Sequence, residues 1–254
     1  MKNIEVKILN PEVISQAEKM MVCAARLTQR GHNIKNMADF MALYDKDYTE
    51  NTVTAMAGLP HPTIQKFAVI NVAIVGASRR FLAQITRHQN EVKFMSASLQ
   101  YSDYSGEAGF VTPYNLIDKL PSVAYTTQCQ AAMAEYEKLI EHGVDNDSAG
   151  YLAPQGLRNI LIISATPYQW KHMISQRICR RNTDETRYVL LRIWEQLYEV
   201  NPRLFARFTT GPFCMRGHCK EGKMACGNPI PDDITPSEIL AVDYPLLMEV
   251  NEDA

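Results

Sequence analysis

The chain has 254 residues, 46% of them hydrophobic, and a formal net charge of −2. That length and apolar content can bury a large core, and near-neutrality argues for pockets that take small anions over a surface for a polyanion. There is no run of about eighteen apolar residues to cross a membrane, and the opening segment lacks the apolar stretch of a signal peptide. Six scattered cysteines without that signal point to reduced thiols in a cytoplasmic protein.

In chain order, Ile4, Val6 and Ile8 alternate with polar residues and predict a strand. Pro11 suits the first turn of a helix with Ile14, Ala17, Met20, Met21 and Ala24 on one face. Residues 30–47 are irregular, with room for a short helix. Ala68 to Val75 is a nearly continuous apolar run bounded by Gly76, as in a buried strand. Ser78 can cap the next helix, on which Gln84, Arg87 and His88 are expected to share one face. Gly106 to Pro113 reads as a loop. Pro121 opens a helix with the stripe Tyr125, Cys129, Met133, Tyr136 and Ile140, stopped near Gly143. Periodicity leaves Leu157 to Ile163 undecided between helix and strand. Thr166-Pro167 starts a helix through Trp170, Met173, Ile174 and Arg177. A further stripe, Val189, Leu190, Ile193, Trp194 and Leu197, ends at Asn201-Pro202. No repeat or linker stands out, so a single domain over residues 1–254 is expected, with a Cys/Gly-rich tail at 211–228.

Two arginine-bearing segments carry the functional signal. In the first, Gln84, Arg87 and His88 would offer an amide, a guanidinium and an imidazole to an anion, with Ser98, Tyr101 and Ser102 nearby as neutral donors; the bland alternative is a solvated helix face. In the second, Arg177, Arg181 and Glu185 follow at four-residue steps, which alone reads as an exposed charge ladder. Arg177 also falls beside Trp170, Met173 and Ile174, where a half-buried guanidinium needs an acceptor that a ligand can supply. Cys214, His218, Cys219 and Cys226 lack the paired knuckles of common zinc modules; a compact cap with reduced thiols is the preferred reading, and a metal site the alternative. There is no P-loop, dinucleotide fingerprint, nucleophile elbow or His-Glu-x-x-His, and no readable acid–base pair.

These segments resemble the flavin-dependent thymidylate synthases, also called thymidylate synthase-complementing proteins. The family's Arg-His-Arg, spacer, Ser-x-Arg-Tyr signature is met by Arg87-His88-Gln89, a longer spacer and Ser98-Leu-Gln100-Tyr101, with Gln84 at the family's preceding Gln. His61-Pro-Thr63 resembles the Gly-His-x-Ser/Thr segment, although Lys66-Phe67 replaces the usual Glu-His. Arg177-Ile-Cys179-Arg180-Arg181-Asn-Thr-Asp-Glu185-Thr-Arg187 matches the downstream arginine motif, and Gln155-Gly-Leu-Arg158 an element before it. The tail resembles the end of some members.

The resemblance implies an α+β fold, with helices packed on a largely antiparallel sheet, and a homotetramer with active sites shared between subunits. It implies FAD, NADPH and methylenetetrahydrofolate, with dUMP as substrate and dTMP as product, and no nucleic-acid or membrane partner. His61, Thr63, Arg87, His88, Gln89 and Arg181 would hold the flavin. Gln84, Ser98, Gln100, Arg158 and Arg177 would hold the nucleotide, Arg177 also serving catalysis. Gln89 and Gln100 depart from the signature by replacing arginines, which removes charge and alters which base edge can be read. Methylation or hydroxymethylation of another pyrimidine nucleotide is therefore the enzymatic alternative, and a nucleotide- or RNA-binding protein the non-enzymatic one.

Overall fold

A computed structural model describes residues 1–106, 108–217 and 219–248. The strands are β1 (Glu5–Ile8), β2 (Ile70–Ser78), β3 (Val92–Ser96) and β4 (Arg158–Ala165), all antiparallel in the order β1-β2-β4-β3. Between β1 and β2 run α1 (Glu12–Arg30), α2 (Met37–Tyr44) and α3 (Glu50–Ala57); α4 (Arg79–Ile85) follows β2 directly. Helices α5 (Pro121–Glu141) and α6 (Asn146–Ala149) separate β3 from β4. After β4 come α7 (Pro167–Arg177), α8 (Asp184–Val200), α9 (Arg207–Thr210), α10 (Pro236–Asp243) and α11 (Pro245–Met248). This is the expected α+β arrangement of helices on an antiparallel sheet.

The segment left undecided, Leu157 to Ile163, falls almost entirely in β4. It sits between β2 and β3, so both its edges are paired and its backbone polar groups are satisfied by neighbours. Ile70, Val72 and Ile74 of β2 and Leu161 and Ile163 of β4 are buried with Trp170 and Met173 of α7 and with Val189, Ile193 and Trp194 of α8. A smaller cluster joins Met133, Tyr136, Ala149 and Leu157. The opposite face of the sheet is apolar and open: Val75, Ile160, Ile162 and Met95 are exposed, and the register aligns Val75 with Ile160 and Ile162 with Met95.

Gly76 does not bound β2; it forms a bulge within it, where the register shifts between Val75 and Ala77. Its φ is +82°, and a Cβ there would lie 2.6 Å from the backbone oxygen of Asn3. Both the left-handed backbone and the close approach demand glycine. Gly76→Ala is expected to lower stability by roughly 1–3 kcal/mol, read as a lower denaturant midpoint; an unchanged midpoint would show that the bulge relaxes freely.

Candidate functional site

Ser78 caps α4 as expected, its Oγ accepting from the Phe81 N–H at 3.1 Å. The helix then stops sooner than the spacing predicts. Thr86 closes it and donates its hydroxyl to the Leu82 carbonyl, and Glu91 adopts φ +57° so that the chain can turn into β3. Gln84 is therefore on the last helical turn, while Arg87, His88 and Gln89 stand in the turn beyond it. They do not share a helix face. The Arg177–Arg181–Glu185 ladder is overturned for a similar reason. Asn182 donates to the carbonyls of Gln176 and Cys179, ending α7 at Arg177, and α8 restarts at Asp184. Arg181 is exposed, and Glu185 turns inward, accepting from the Ser78 N–H at 2.6 Å and its hydroxyl at 2.5 Å. Burial pushes the Glu185 carboxyl above its usual range, although Ser78 opposes this.

Tertiary packing nonetheless brings the two arginine segments together. Arg177 Nε donates to His88 Nε2 at 2.7 Å, and its terminal nitrogens donate to the Gln84 carbonyl at 3.1 Å and Asn182 Oδ1 at 3.4 Å. The half-buried guanidinium thus has protein acceptors where a ligand was expected to be the partner, and further N–H donors remain on the fork. For Nε2 to accept, the imidazole must be neutral with its proton on Nδ1. Burial first, then the charges of Arg177 and His172, push its pKa down to about 4. Arg87, His88, Gln89, Tyr168, His172 and Arg177 belong to the wall of a cavity of about 460 Å³ that has no carboxylate in its lining. Burial, then the charge of Arg87, lowers the Arg177 pKa. Two guanidinium groups in a lining without a carboxylate give the cleft a positive potential that favours an anion. Gln84 serves as a brace: its Oε1 accepts from the hydroxyls of Thr183 and Thr186, at 2.9 and 2.8 Å, tying α4 to α8.

Ser98, Gln100 and Arg158 lie elsewhere. Val92, at the start of β3, aligns with Ala165, whereas Ser96 at its end aligns with Leu161; the strand's rise separates the ends by roughly 13 Å. Arg87 and His88 precede that strand and Ser98 and Gln100 follow it, so the two halves of the signature do not meet within one chain. Ser98 Oγ accepts from the Gln100 N–H at 3.1 Å in a tight turn, and the Gln100 side chain is exposed. Arg158 begins β4 and lies against Gly109, where a Cβ would come within 3.0 Å of its Cδ. Arg158 Nε and Arg79 Nη1 are buried without a hydrogen-bond partner, which is costly unless a ligand accepts from them. His61 and Thr63 are exposed around a turn at Pro62–Gln65, on the α7 side of the molecule, where Gln65 bonds Lys171. The two buried guanidinium N–H groups of Arg158 and Arg79 would each suit an anionic or carbonyl oxygen.

Lys171 escaped the sequence reading. It is buried on α7, donates to Gln65 Oε1 at 2.8 Å and sits 5.8 Å from the Phe205 ring centre. Burial first, then the charge of Arg216, brings its ammonium down to about 7. The available signal was a lysine placed directly between the core residues Trp170 and Met173. With His172 and Lys220 it lines a cavity of about 720 Å³.

Residues 12–203 match the model of the thymidylate synthase complementing protein family. The chain belongs to this family. Among its relatives, the flavin-dependent thymidylate synthase of Geobacter sulfurreducens is 26% identical over 218 residues, covering 83% of this chain and 89% of that one. The enzyme of the same name from Thermococcus onnurineus is 28% identical over 196 residues, or 73% and 78% of the two chains. The fold is shared with two solved structures. One is the UMP/dUMP methylase PolB from Streptomyces cacaoi bound with 5-Br dUMP, with TM-score 0.63, 15% identity and coverage of 82% and 96%. The other is thymidylate synthase X (ThyX) from Helicobacter pylori with FAD and dUMP, with TM-score 0.57, 16% identity and coverage of 80% and 97%.

The family match stops at Pro202-Arg203, and the segment after it reaches back onto the arginine motif. Asp243, at the end of α10, pairs with Arg180 at 2.8 Å and with Arg187. The buried Tyr244 hydroxyl accepts from Arg187 at 3.0 Å and donates to the Asp184 carbonyl at 3.1 Å. Two of the motif's arginines are thus held within the protein, while Arg177 faces the cavity.

Proposed function

We propose that this chain catalyses the FAD-dependent reductive methylation of dUMP to dTMP, with methylenetetrahydrofolate as one-carbon donor and NADPH as reductant. The family assignment and the names of the relatives support an enzyme of this class. The observation that carries the reading to this site is the cleft in which Arg87 and Arg177 flank a neutral His88 with no acidic lining. His61, Thr63, Arg87, His88, Gln89 and Arg181 are assigned to the flavin side. Gln84, Ser98, Gln100, Arg158 and Arg177 are assigned to the nucleotide.

Bound FAD supplies the reducing equivalents. The chain's own residues bind and orient. Arg177 donates N–H groups to an anionic or carbonyl oxygen in the cleft, while His88 and the Gln84 carbonyl fix its plane. Neutral His88 adds no charge of its own, so attraction for an anion rests on the two guanidinium groups. Gln100 supplies an amide where the signature has a guanidinium, able both to donate to and to accept from a base edge.

The separation of the signature halves along β3 supports a homotetramer in which one subunit's Ser98 and Gln100 complete another's Arg87 cleft. The open apolar stripe of Val75, Ile160, Ile162 and Met95 is a surface on which a second copy would bury area. Purified protein is expected to be yellow, tetrameric by light scattering, and to convert dUMP to dTMP when given folate and NADPH; the product's mass, with UMP and dCMP run alongside, tests the reaction. Colourless protein that leaves every pyrimidine nucleotide unchanged would refute the reading. Arg87→Ala is expected to yield folded but colourless protein, and stoichiometric FAD in that variant would remove Arg87 from the flavin site.

A further inference from the structure

Four of the six cysteines share one place in the fold. Cys23 and Cys129 are buried apart from the tail, whereas Cys179, Cys214, Cys219 and Cys226 all line one cavity of about 430 Å³ beneath it. Cys179 lies just past the end of α7, and the other three come from the segment beyond the family match. Two of the sulfurs already accept backbone hydrogen bonds, Cys214 Sγ from the Ile230 N–H and Cys226 Sγ from the Asn228 N–H, both at 3.4 Å, while the protonated Cys226 thiol also donates to the Asn228 carbonyl at 3.3 Å. Such N–H groups stabilise sulfur that carries negative charge and tune thiolate-bound clusters. Gly227, directly after Cys226, has φ +72°, and this left-handed turn lets the Asn228 N–H fold back onto the preceding sulfur. Arg180 on the cavity wall is already paired with Asp243, which leaves Arg177 and Lys220 against the one lining carboxylate, Glu221, a balance that still favours an anionic occupant.

We propose that Cys179, Cys214, Cys219 and Cys226 form a tetrathiolate site for a thiophilic metal centre. Four soft thiolates select zinc or an iron–sulfur cluster over harder ions. Among the described residues no three metal-ligating side chains stand close enough to hold a single ion, so the thiols frame the cavity instead of meeting at a point. That spacing suits an iron–sulfur cluster, whose own atoms fill the centre, better than a lone zinc ion with bonds of about 2.3 Å. The site includes Cys179, which motif spacing did not connect to the tail, and does not draw on His218, which lies outside the described residues. Arg177 and Gln176 line both this cavity and the His88 cleft, so the centre would sit directly behind the candidate active site.

The test is metal and acid-labile sulfide analysis of the full chain, purified without oxygen and again after reconstitution with ferrous iron and sulfide or with zinc. Iron with an equal amount of sulfide identifies a cluster, and one zinc per chain without sulfide identifies a mononuclear site; either bears out the tetrathiolate. Cys179→Ser and Cys226→Ser are each expected to lower metal content roughly tenfold, while Cys129→Ser retains it. If the variants do not fold, alkylation of the wild type decides: the exposed Cys219 and Cys226 should be protected when metal is present and labelled after chelation. Protein that stays metal-free after reconstitution, forms disulfides between these cysteines, or retains full metal in both variants would overturn the proposal.

Discussion

Asp243→Ala is expected to destabilise the protein by roughly 3–5 kcal/mol, the usual cost of leaving a buried charge without its partner. Its carboxylate is about 10% exposed and faces Arg180 and Arg187, whose side chains are 14% and 6% exposed. Removing it leaves two guanidinium groups in a space that water barely reaches. Arg187 would keep the Ile178 carbonyl and the Tyr244 hydroxyl, but neither carries charge. Asp243→Asn should cost less, since an amide oxygen still accepts. Burial alone would push the Asp243 carboxyl up, but hydrogen bonds from Arg180 and Arg187, with their charges, hold it below its usual value. A depressed folded pKa contributes stability that is present above the unfolded value and lost as pH falls through the folded one. The wild type should therefore lose this contribution below about pH 3.9, the unperturbed aspartate value, and Asp243→Ala should show a flatter acid limb. Urea unfolding of wild type and both variants checks the ordering. A loss below about 1 kcal/mol for the alanine variant would place the pair in the weak class of solvated bridges.

Arg177→Lys is expected to weaken nucleotide binding by roughly 1–3 kcal/mol, the scale of a charge-assisted hydrogen bond, with flavin content little changed. Lysine keeps the positive charge but cannot at once bond His88 Nε2 and the Gln84 carbonyl and still present a planar donor pair to the cleft. Nucleotide titration by calorimetry at fixed salt reads the effect, and unchanged affinity would remove Arg177 from the nucleotide's contacts. Arg177→Gln adds a readout that a purely structural role in packing would not move. Losing the cationic neighbour should raise the His88 pKa from about 4 part of the way towards the ordinary imidazole value of 6.5, with burial, the larger cause, still holding it down. In the wild type the folded pKa lies below the unfolded one, so the stability contributed by neutral His88 is fully present above about pH 6.5 and is lost as pH falls towards 4. NMR titration of the imidazole follows the shift in pKa, and urea unfolding between about pH 4 and 7 follows the stability.

What the sequence determined by itself is local. Alternation made β1, Thr166-Pro167 and Asn201-Pro202 set helix ends, and Ser78 announced its cap, because each depends on neighbours within a few residues. The order of the arginine segments was equally legible and led to the right family. Contacts across the chain were not. Only the tertiary structure placed Arg177 on His88 from 89 positions away, turned Glu185 inward to Ser78, and ended α4 and α7 early enough to break the expected helix faces. Periodicity cannot report where a chain must turn back, since that is fixed by the partner it returns to; Gly76 read as an end for this reason, although the nearness of Asn3 makes it a bulge. The same reason hid Cys179 from the tail cysteines and Asp243 from Arg187: sequence spacing orders residues along the backbone, and packing alone decides which of them share a cavity.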